Sequence, residues 1–221
     1  MLTGFDKPDS GEWTYDGENI AGVPAFKLAQ RGQVRTFQLT KALGLLTVLD
    51  NMKLGSKHQR GERLFPSLLP FLWKGQDDEI AEKAMKLLKK FKLDAKKDDF
   101  AASLSGGQRK LLEMARALMS DPELVMLDEP MAGVNPALTQ SLLDHILDLK
   151  KDGMTVLFVE HDMHMVSHIA DWVVVLAEGR VVAEGPPDVV MKNPAVIDAY
   201  LGAHQEIDLG VVTGRYDEAS K

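Results

Sequence analysis

Residues 124–127 and 155–159, Leu-Val-Met-Leu and Thr-Val-Leu-Phe-Val, are short runs with apolar side chains on both strand faces. A strand with one wet face alternates, so such runs predict strands covered on both sides, in a parallel sheet between helical layers. The segments beside them have helix length. One helix is expected from about 107 to 119, and a second over roughly 136–151, stopped by Gly153. A short helix near 163–169 then leads to a strand at Trp172–Leu176, a hairpin at Glu178-Gly179-Arg180 and a return strand Val181–Ala183. The pattern is α/β.

The first forty residues read differently. They are rich in Gly, Asp and Pro, with a strand at Glu12–Tyr15, a turn at Asp16-Gly17 and another strand from Gln33 that ends at Gln38. From Lys41 to Phe100 the composition shifts to Leu, Lys and Asp, which points to helices. Ile80, Ala84, Leu87, Leu88 and Phe91 fall on one helical face, with acids at the N-terminal end and Lys86, Lys89 and Lys90 towards the other. Residues 64–73, Leu-Phe-Pro-Ser-Leu-Leu-Pro-Phe-Leu-Trp, admit two readings. They pack inside this helical region, or they leave a partly exposed patch suited to an interface.

Composition narrows the function classes. Acidic residues outnumber basic ones by 33 to 26, a formal charge of −7, which counts against a nucleic-acid binder with a broad basic face. With no cysteine there is no disulfide, thiolate metal site or cysteine nucleophile, which fits a reducing compartment. No apolar run approaches the roughly 18 residues of a membrane span, and the opening is too polar for a signal peptide. A soluble, cytoplasmic protein is expected.

Four places carry chemistry. The apolar run 124–127 ends in Asp128-Glu129-Pro130, two adjacent carboxylates at the C-terminal end of a strand, where open α/β sheets bind ligands. Neighbouring strand residues point opposite ways, so one acid suits Mg²⁺ and the other a nucleophilic water. A solvated acidic turn is the plainer alternative. Leu104-Ser105-Gly106-Gly107-Gln108 opens a helix: the serine can cap it, the glycines allow close backbone approach, and the free N–H groups suit phosphate. A simple Ser-Gly-Gly cap is the alternative there. Glu160-His161-Asp162 ends the second apolar run, and His161 can hydrogen-bond a phosphate. A structural histidine, or a metal site from His161, His164 and His168, competes with that reading. Gln38, the fourth, says nothing alone.

Taken together and in this order, the four resemble the nucleotide-binding subunit of ATP-binding-cassette (ABC) transporters. Gln38 matches the Q-loop, Leu-Ser-Gly-Gly-Gln at 104–108 the signature motif, residues 124–130 the Walker B strand, 131–136 the D-loop and His161 the switch histidine. Arg35-Thr36-Phe37-Gln38, the segment 129–136, the long insert 55–76 and the ending Glu-Gly-Pro-Pro-Asp-Val-Val-Met-Lys-Asn-Pro are similar to the branched-chain amino-acid importer group. The resemblance implies a P-loop NTPase-like ABC ATPase core with an inserted helical subdomain. The core would take 1–40 and 120–204, the helical subdomain 41–119 and a tail 205–221.

It also implies roles. Glu129 would be the general base, Asp128 and Gln38 the Mg²⁺ partners, His161 the γ-phosphate sensor, and Gln38 the link to the permease. Ser105, Gly106, Gly107 and Gln108 would close over ATP bound to the opposite subunit. The implied partners are membrane permease subunits and a second ATPase subunit, as heterodimer or homodimer, on the inner face of the cell membrane. Nucleic acid is not among them: chromosome ATPases of the superfamily separate their halves by long coiled coils, whereas only 66 residues lie between Gln38 and Ser105.

The sequence departs from the family pattern twice. Asn135 stands where the D-loop usually has aspartate. No G-x-x-x-x-G-K-[S/T] occurs in the 221 residues, and the opening segment resembles the stretch directly after the phosphate loop and its helix. The expectation is therefore an N-terminally incomplete core, inactive alone. A non-hydrolytic partner that lends only its signature half-site is the alternative function.

Overall fold

The chain opens on a small hairpin, β1 (Thr14–Tyr15) paired antiparallel with β2 (Glu18–Asn19). Its turn residues Asp16 and Gly17 have φ of 50° and 75°, the left-handed pair that a two-residue hairpin requires. In this computed structural model, residues 2–36, 42–62, 65 and 68–199 are described. Gln38 lies outside them, as does the end of the strand expected at 33–38.

Helix α1 (Ala25–Gln30) follows Pro24, and β3 (Gln33–Arg35) begins after Gly32. Helix α2 (Val48–Lys53) is capped by Thr47, whose hydroxyl accepts from Asp50 N at 3.0 Å. The long α3 (Lys74–Lys90) starts six residues before the apolar stripe that revealed it. Ile80, Ala84 and Leu88 are buried, as is Phe91 just beyond it. Helix α4 (Gly106–Leu118) packs against both α2 and α3, burying Leu111, Leu112, Ala115 and Leu118. The helical reading of 41–100 holds for the residues described.

The apolar runs form the parallel sheet expected of them. Strand β4 (Leu124–Asp128) is central, helix α5 (Pro136–Lys151) follows, and β5 (Thr155–Val159) pairs with β4 from Leu124–Thr155 to Asp128–Val159. On the other side β3 pairs with β4, setting Gln33 beside Leu124 and Arg35 beside Met126. The expectation of two covered faces holds for β4, where Val125, Met126 and Leu127 are buried, but not for β5. Leu157 is 43% and Val159 60% exposed, so the face of β5 that carries them is not covered, and among the described residues β5 has a strand partner on one edge only.

Two compact units arise, Met1–Val159 and Glu160–Lys221. Within the second, α6 (Met163–Ile169) precedes a hairpin of β6 (Val173–Ala177) and β7 (Arg180–Gly185), then α7 (Pro187–Val190). Glu178 and Gly179 turn it at φ 49° and 73°, and a bulge sits between Val175 and Leu176. No described helix is long and apolar enough to cross a membrane.

The stretch 64–73 does not pack as core in its described part. Phe71 is 76% exposed and Leu68 is exposed too, while Trp73 is half-buried at the start of α3. Residues Pro70–Leu72 form only a single 3-10 turn ahead of α3, too short to turn one apolar face inward.

Candidate functional site

Strand β4 delivers Asp128 and Glu129 by different means. Asp128 is the last strand residue, and its Oδ2 accepts from Arg35 Nη2 at 2.8 Å. The pair follows from register: Arg35 lies opposite Met126, two residues back on the same face as Asp128. Both side chains are about 30% exposed, so the ion pair sits in the mouth of the site.

Glu129 leaves the strand with φ 44°, the left-handed region, which costs a non-glycine residue about 1 kcal/mol. Hydrogen bonds hold it there from both sides. Its N–H donates to Val159 O at 3.0 Å, so the end of β5 fixes the amide. Its carbonyl accepts from Ala132 N at 3.2 Å and from Lys110 Nζ at 3.2 Å. Lys110 also donates to the carbonyls of Pro130, at 3.2 Å, and Ala132. One ammonium thus gathers three carbonyls of the turn 129–132.

Lys110 belongs to α4, whose first turn is the Ser-Gly-Gly-Gln segment. Ser105 is its N-cap: Ser105 Oγ accepts from Gln108 N at 3.3 Å, and Gln108 Oε1 accepts from Ser105 N at 3.0 Å, a reciprocal capping box. The hydroxyl therefore caps the helix and keeps its own proton to donate outward. The two glycines, both read as room for a ligand, have separate reasons. A Cβ on Gly106 would meet nothing within 4 Å, so this is the open face. A Cβ on Gly107 would come 2.4 Å from Leu138 Cδ1, so Gly107 admits α5 instead.

Asn135, the departure in the D-loop, is the N-cap of α5, accepting from Leu138 N at 2.9 Å. An aspartate would cap equally well, so the change removes a charge and keeps the local fold.

The third place is only partly as read. His161 belongs to the second unit, with its side chain 79% exposed and Nδ1 3.9 Å from Glu160 Oε2. Asp162 is the N-cap of α6, accepting from His164 N and Met165 N. His164 and His168 stack at 5.5 Å, one helical turn apart, but among the described residues no three His, Asp or Glu converge as metal ligands. The three-histidine metal alternative is thereby overturned among the described residues: His164 and His168 stack on one helix face, and no third ligand joins them. For Mg²⁺ the donor set fits in a limited sense. This ion commonly takes one or two carboxylates plus phosphate oxygens and water, and Asp128 supplies one.

Sequence reasoning missed Arg35 and Lys110. Arg35 stood three residues before Gln38, and only the β3–β4 register reveals its partner. Lys110 stood two after Gln108 with nothing to separate it from a solvated helix lysine. It missed His145 as well, buried in α5 at 7% exposure against the Phe91 ring, centroids 4.3 Å apart, with neither ring nitrogen hydrogen-bonded. Burial holds its pKa below the ordinary 6.5.

The chain is similar to known proteins in sequence and, for a solved structure, in fold. Residues 1–132 match the ABC transporter family, and residues 180–206 match the branched-chain amino acid ATP-binding cassette transporter family. A probable branched-chain amino acid transport ATP-binding protein LivG of Archaeoglobus fulgidus is 42% identical over 95% of this chain and 81% of its own length. The high-affinity branched-chain amino acid transport ATP-binding protein LivG of Escherichia coli is 36% identical over 91% and 80%. The crystal structure of a nucleotide-free ATP-binding cassette from an ABC transporter superposes with TM-score 0.75 at 37% identity, covering 90% of this chain and 80% of that one.

Proposed function

The chain belongs to the ABC transporter family, and from that membership we propose that it is the ATP-hydrolysing subunit of an importer of branched-chain amino acids. The observation that carries this reading is Glu129 itself. Its carboxylate stands at the C-terminal end of β4, on a backbone fixed from two sides, in the same unit as an exposed, capped signature turn.

In this reading Glu129 accepts the proton of the attacking water as general base. Asp128, released from Arg35 or sharing its charge, holds Mg²⁺, and Gln38 is its second partner. Bound Mg²⁺ would neutralise charge developing on the phosphate oxygens. His161 donates to the γ-phosphate. Ser105 Oγ, with the N–H groups after it and the open side of Gly106, closes over ATP on a second ATPase subunit, where Gln108 keeps the turn in shape. The partners are membrane permease subunits and that second subunit, in a heterodimer or homodimer, with the chain on the inner face of the membrane. Residues 41–119 form the helical subdomain between two stretches of ATPase core. A cleft of about 370 Å³ lined by Arg35, Thr36, Lys57 and Arg116 opens beside the residues leading to Gln38, and we place the permease contact there.

The second reading, a non-hydrolytic partner lending only its signature, draws on one sequence fact: the 221 residues hold no G-x-x-x-x-G-K-[S/T]. A polypeptide of these residues alone has no phosphate cradle and no lysine for the β- and γ-phosphates, so it is expected to bind ATP weakly without turning it over.

The test joins a segment carrying G-x-x-x-x-G-K-[S/T] ahead of Met1 and assembles the product with permease and partner, the partner's own site disabled. Glu129→Gln is expected to abolish hydrolysis with ATP binding intact, and Ser105→Arg to block closure. Retained turnover in Glu129→Gln overturns the base assignment. Turnover by the 221-residue polypeptide alone overturns the expectation of inactivity.

A further inference from the structure

Lys110 is placed unlike an ordinary surface lysine. It sits on α4, one and a half turns after the cap Ser105, and its ammonium donates to the carbonyls of Glu129, Pro130 and Ala132. A lysine on a helix face is normally solvated, because its ammonium hydrates strongly and its long side chain loses rotamer freedom when fixed. Three carbonyl acceptors from one tight turn replace that hydration, and the ammonium in return offsets the repulsion of the dipoles the turn crowds together.

The turn needs such help. Glu129 occupies the left-handed region at φ 44°, and Gly133 does so again at φ 69°, so the chain reverses within a few residues. Val159 O holds the Glu129 amide, and the turn's own bonds, Ala132 N to Glu129 O and Val134 N to Met131 O, are short-range. Lys110 ties the carbonyls to a different element, α4. Lys110, Asp128, Glu129 and Pro130 also line one small cavity, so the clamp and the carboxylates share a single wall of the site.

We propose that Lys110 is a positioning residue that sets the Glu129 carboxylate by clamping the backbone of its turn to the helix that begins with Ser105. This rests on the reading of Glu129 as base. A shift of α4 as its first turn meets a nucleotide then moves the carbonyls of 129–132 with it. Loss of the ammonium frees the turn while leaving the carboxylate chemically intact.

The test has two arms. In the 221-residue protein, amide hydrogen exchange of peptides covering 128–135 is measured for wild type, Lys110→Met and Lys110→Arg. Lys110→Met, which keeps the aliphatic bulk, is expected to accelerate exchange there about tenfold and leave α3 and the β6–β7 hairpin unchanged. Lys110→Arg is expected to restore protection, since a guanidinium can also donate to several carbonyls. Unchanged exchange in Lys110→Met overturns the proposal. In the assembled transporter carrying the joined phosphate loop, Lys110→Met is expected to lower kcat about tenfold with KM for ATP unchanged and Lys110→Arg to recover most of it. Faster exchange with unaltered kcat, or a loss confined to KM, overturns positioning and leaves a structural clamp. Turnover surviving Glu129→Gln is a failure of the base reading, visible separately in its own variant.

Discussion

Arg35 Nη2 and Asp128 Oδ2 stand 2.8 Å apart across two parallel strands, so the carboxylate assigned to Mg²⁺ already has a cation beside it. Removing either partner takes the counter-charge from a half-buried ionic group, which costs more than the pair contributes. In urea unfolding, Arg35→Met and Asp128→Asn are each expected to destabilise the protein. The double variant should lose about 1 kcal/mol less than the sum, the size expected of a partly exposed pair. Additive losses would mean that the pair is geometric only.

Gly106 and Gly107 are expected to separate in stability. Gly106→Ala puts its methyl into open space at the start of a helix, and the melting temperature should hold or rise slightly. Gly107→Ala pushes on Leu138 Cδ1, the mobile end of a side chain, and should cost about 1 kcal/mol, of the order of mild overpacking. Thermal unfolding of the two variants decides it, and equal behaviour would remove the packing role of Gly107.

His145 makes stability depend on pH with a definite sign. Its folded pKa lies below the unfolded 6.5, chiefly through burial; Asp148 pushes it up, and Lys90 and Lys92 push it down. The unfolded chain therefore binds the proton more readily. The stability held above about pH 6.5 is lost as pH falls through the folded pKa. His145→Phe, which also removes two unbonded ring nitrogens, should be more stable than wild type and flatten this slope below neutrality. A denaturant midpoint whose pH dependence is unchanged by the substitution would contradict it.

Phe71 supplies a surface prediction. As it is 76% exposed, Phe71→Ser should leave the melting temperature within about 2 °C of wild type, the range of ordinary surface substitutions. A larger loss would show that the ring packs after all. If the side chain serves the permease or lipid headgroups, the same variant should associate less with membranes in a sedimentation assay of the assembled complex.

What could be read from sequence was local or periodic. The run Leu124–Leu127 followed by Asp128-Glu129, the helix at 136–151 and the β6–β7 hairpin announced themselves through apolar patterning and turn residues. Helix α1 did not: six residues with one buried leucine, Leu28, carry too little period. The start of α3 was hidden because Gly75 sits in its first turn and its apolar stripe begins at Ile80. In the candidate site, the cap at Ser105 was visible, whereas its reciprocal bond with Gln108 was not read. Arg35 with Asp128 needed strand register, and Lys110 with Glu129 needed a helix and a turn in their final places. The coverage of β5 was misjudged because an apolar run states what a strand can bury, not what lies over it.

The open side of β5 bears on handling as much as on fold. Thr155–Val159 has one edge without a described strand partner, and it shows Leu157 and Val159 to solvent. An extended edge with no described strand partner, set in a Val-Leu-Phe-Val stretch with no charge or proline to blunt it, is a template on which another extended chain can assemble. Concentrated samples of the 221-residue polypeptide should therefore turn cloudy through strand-to-strand accretion. Replacing Leu157 with lysine should keep them clear for longer.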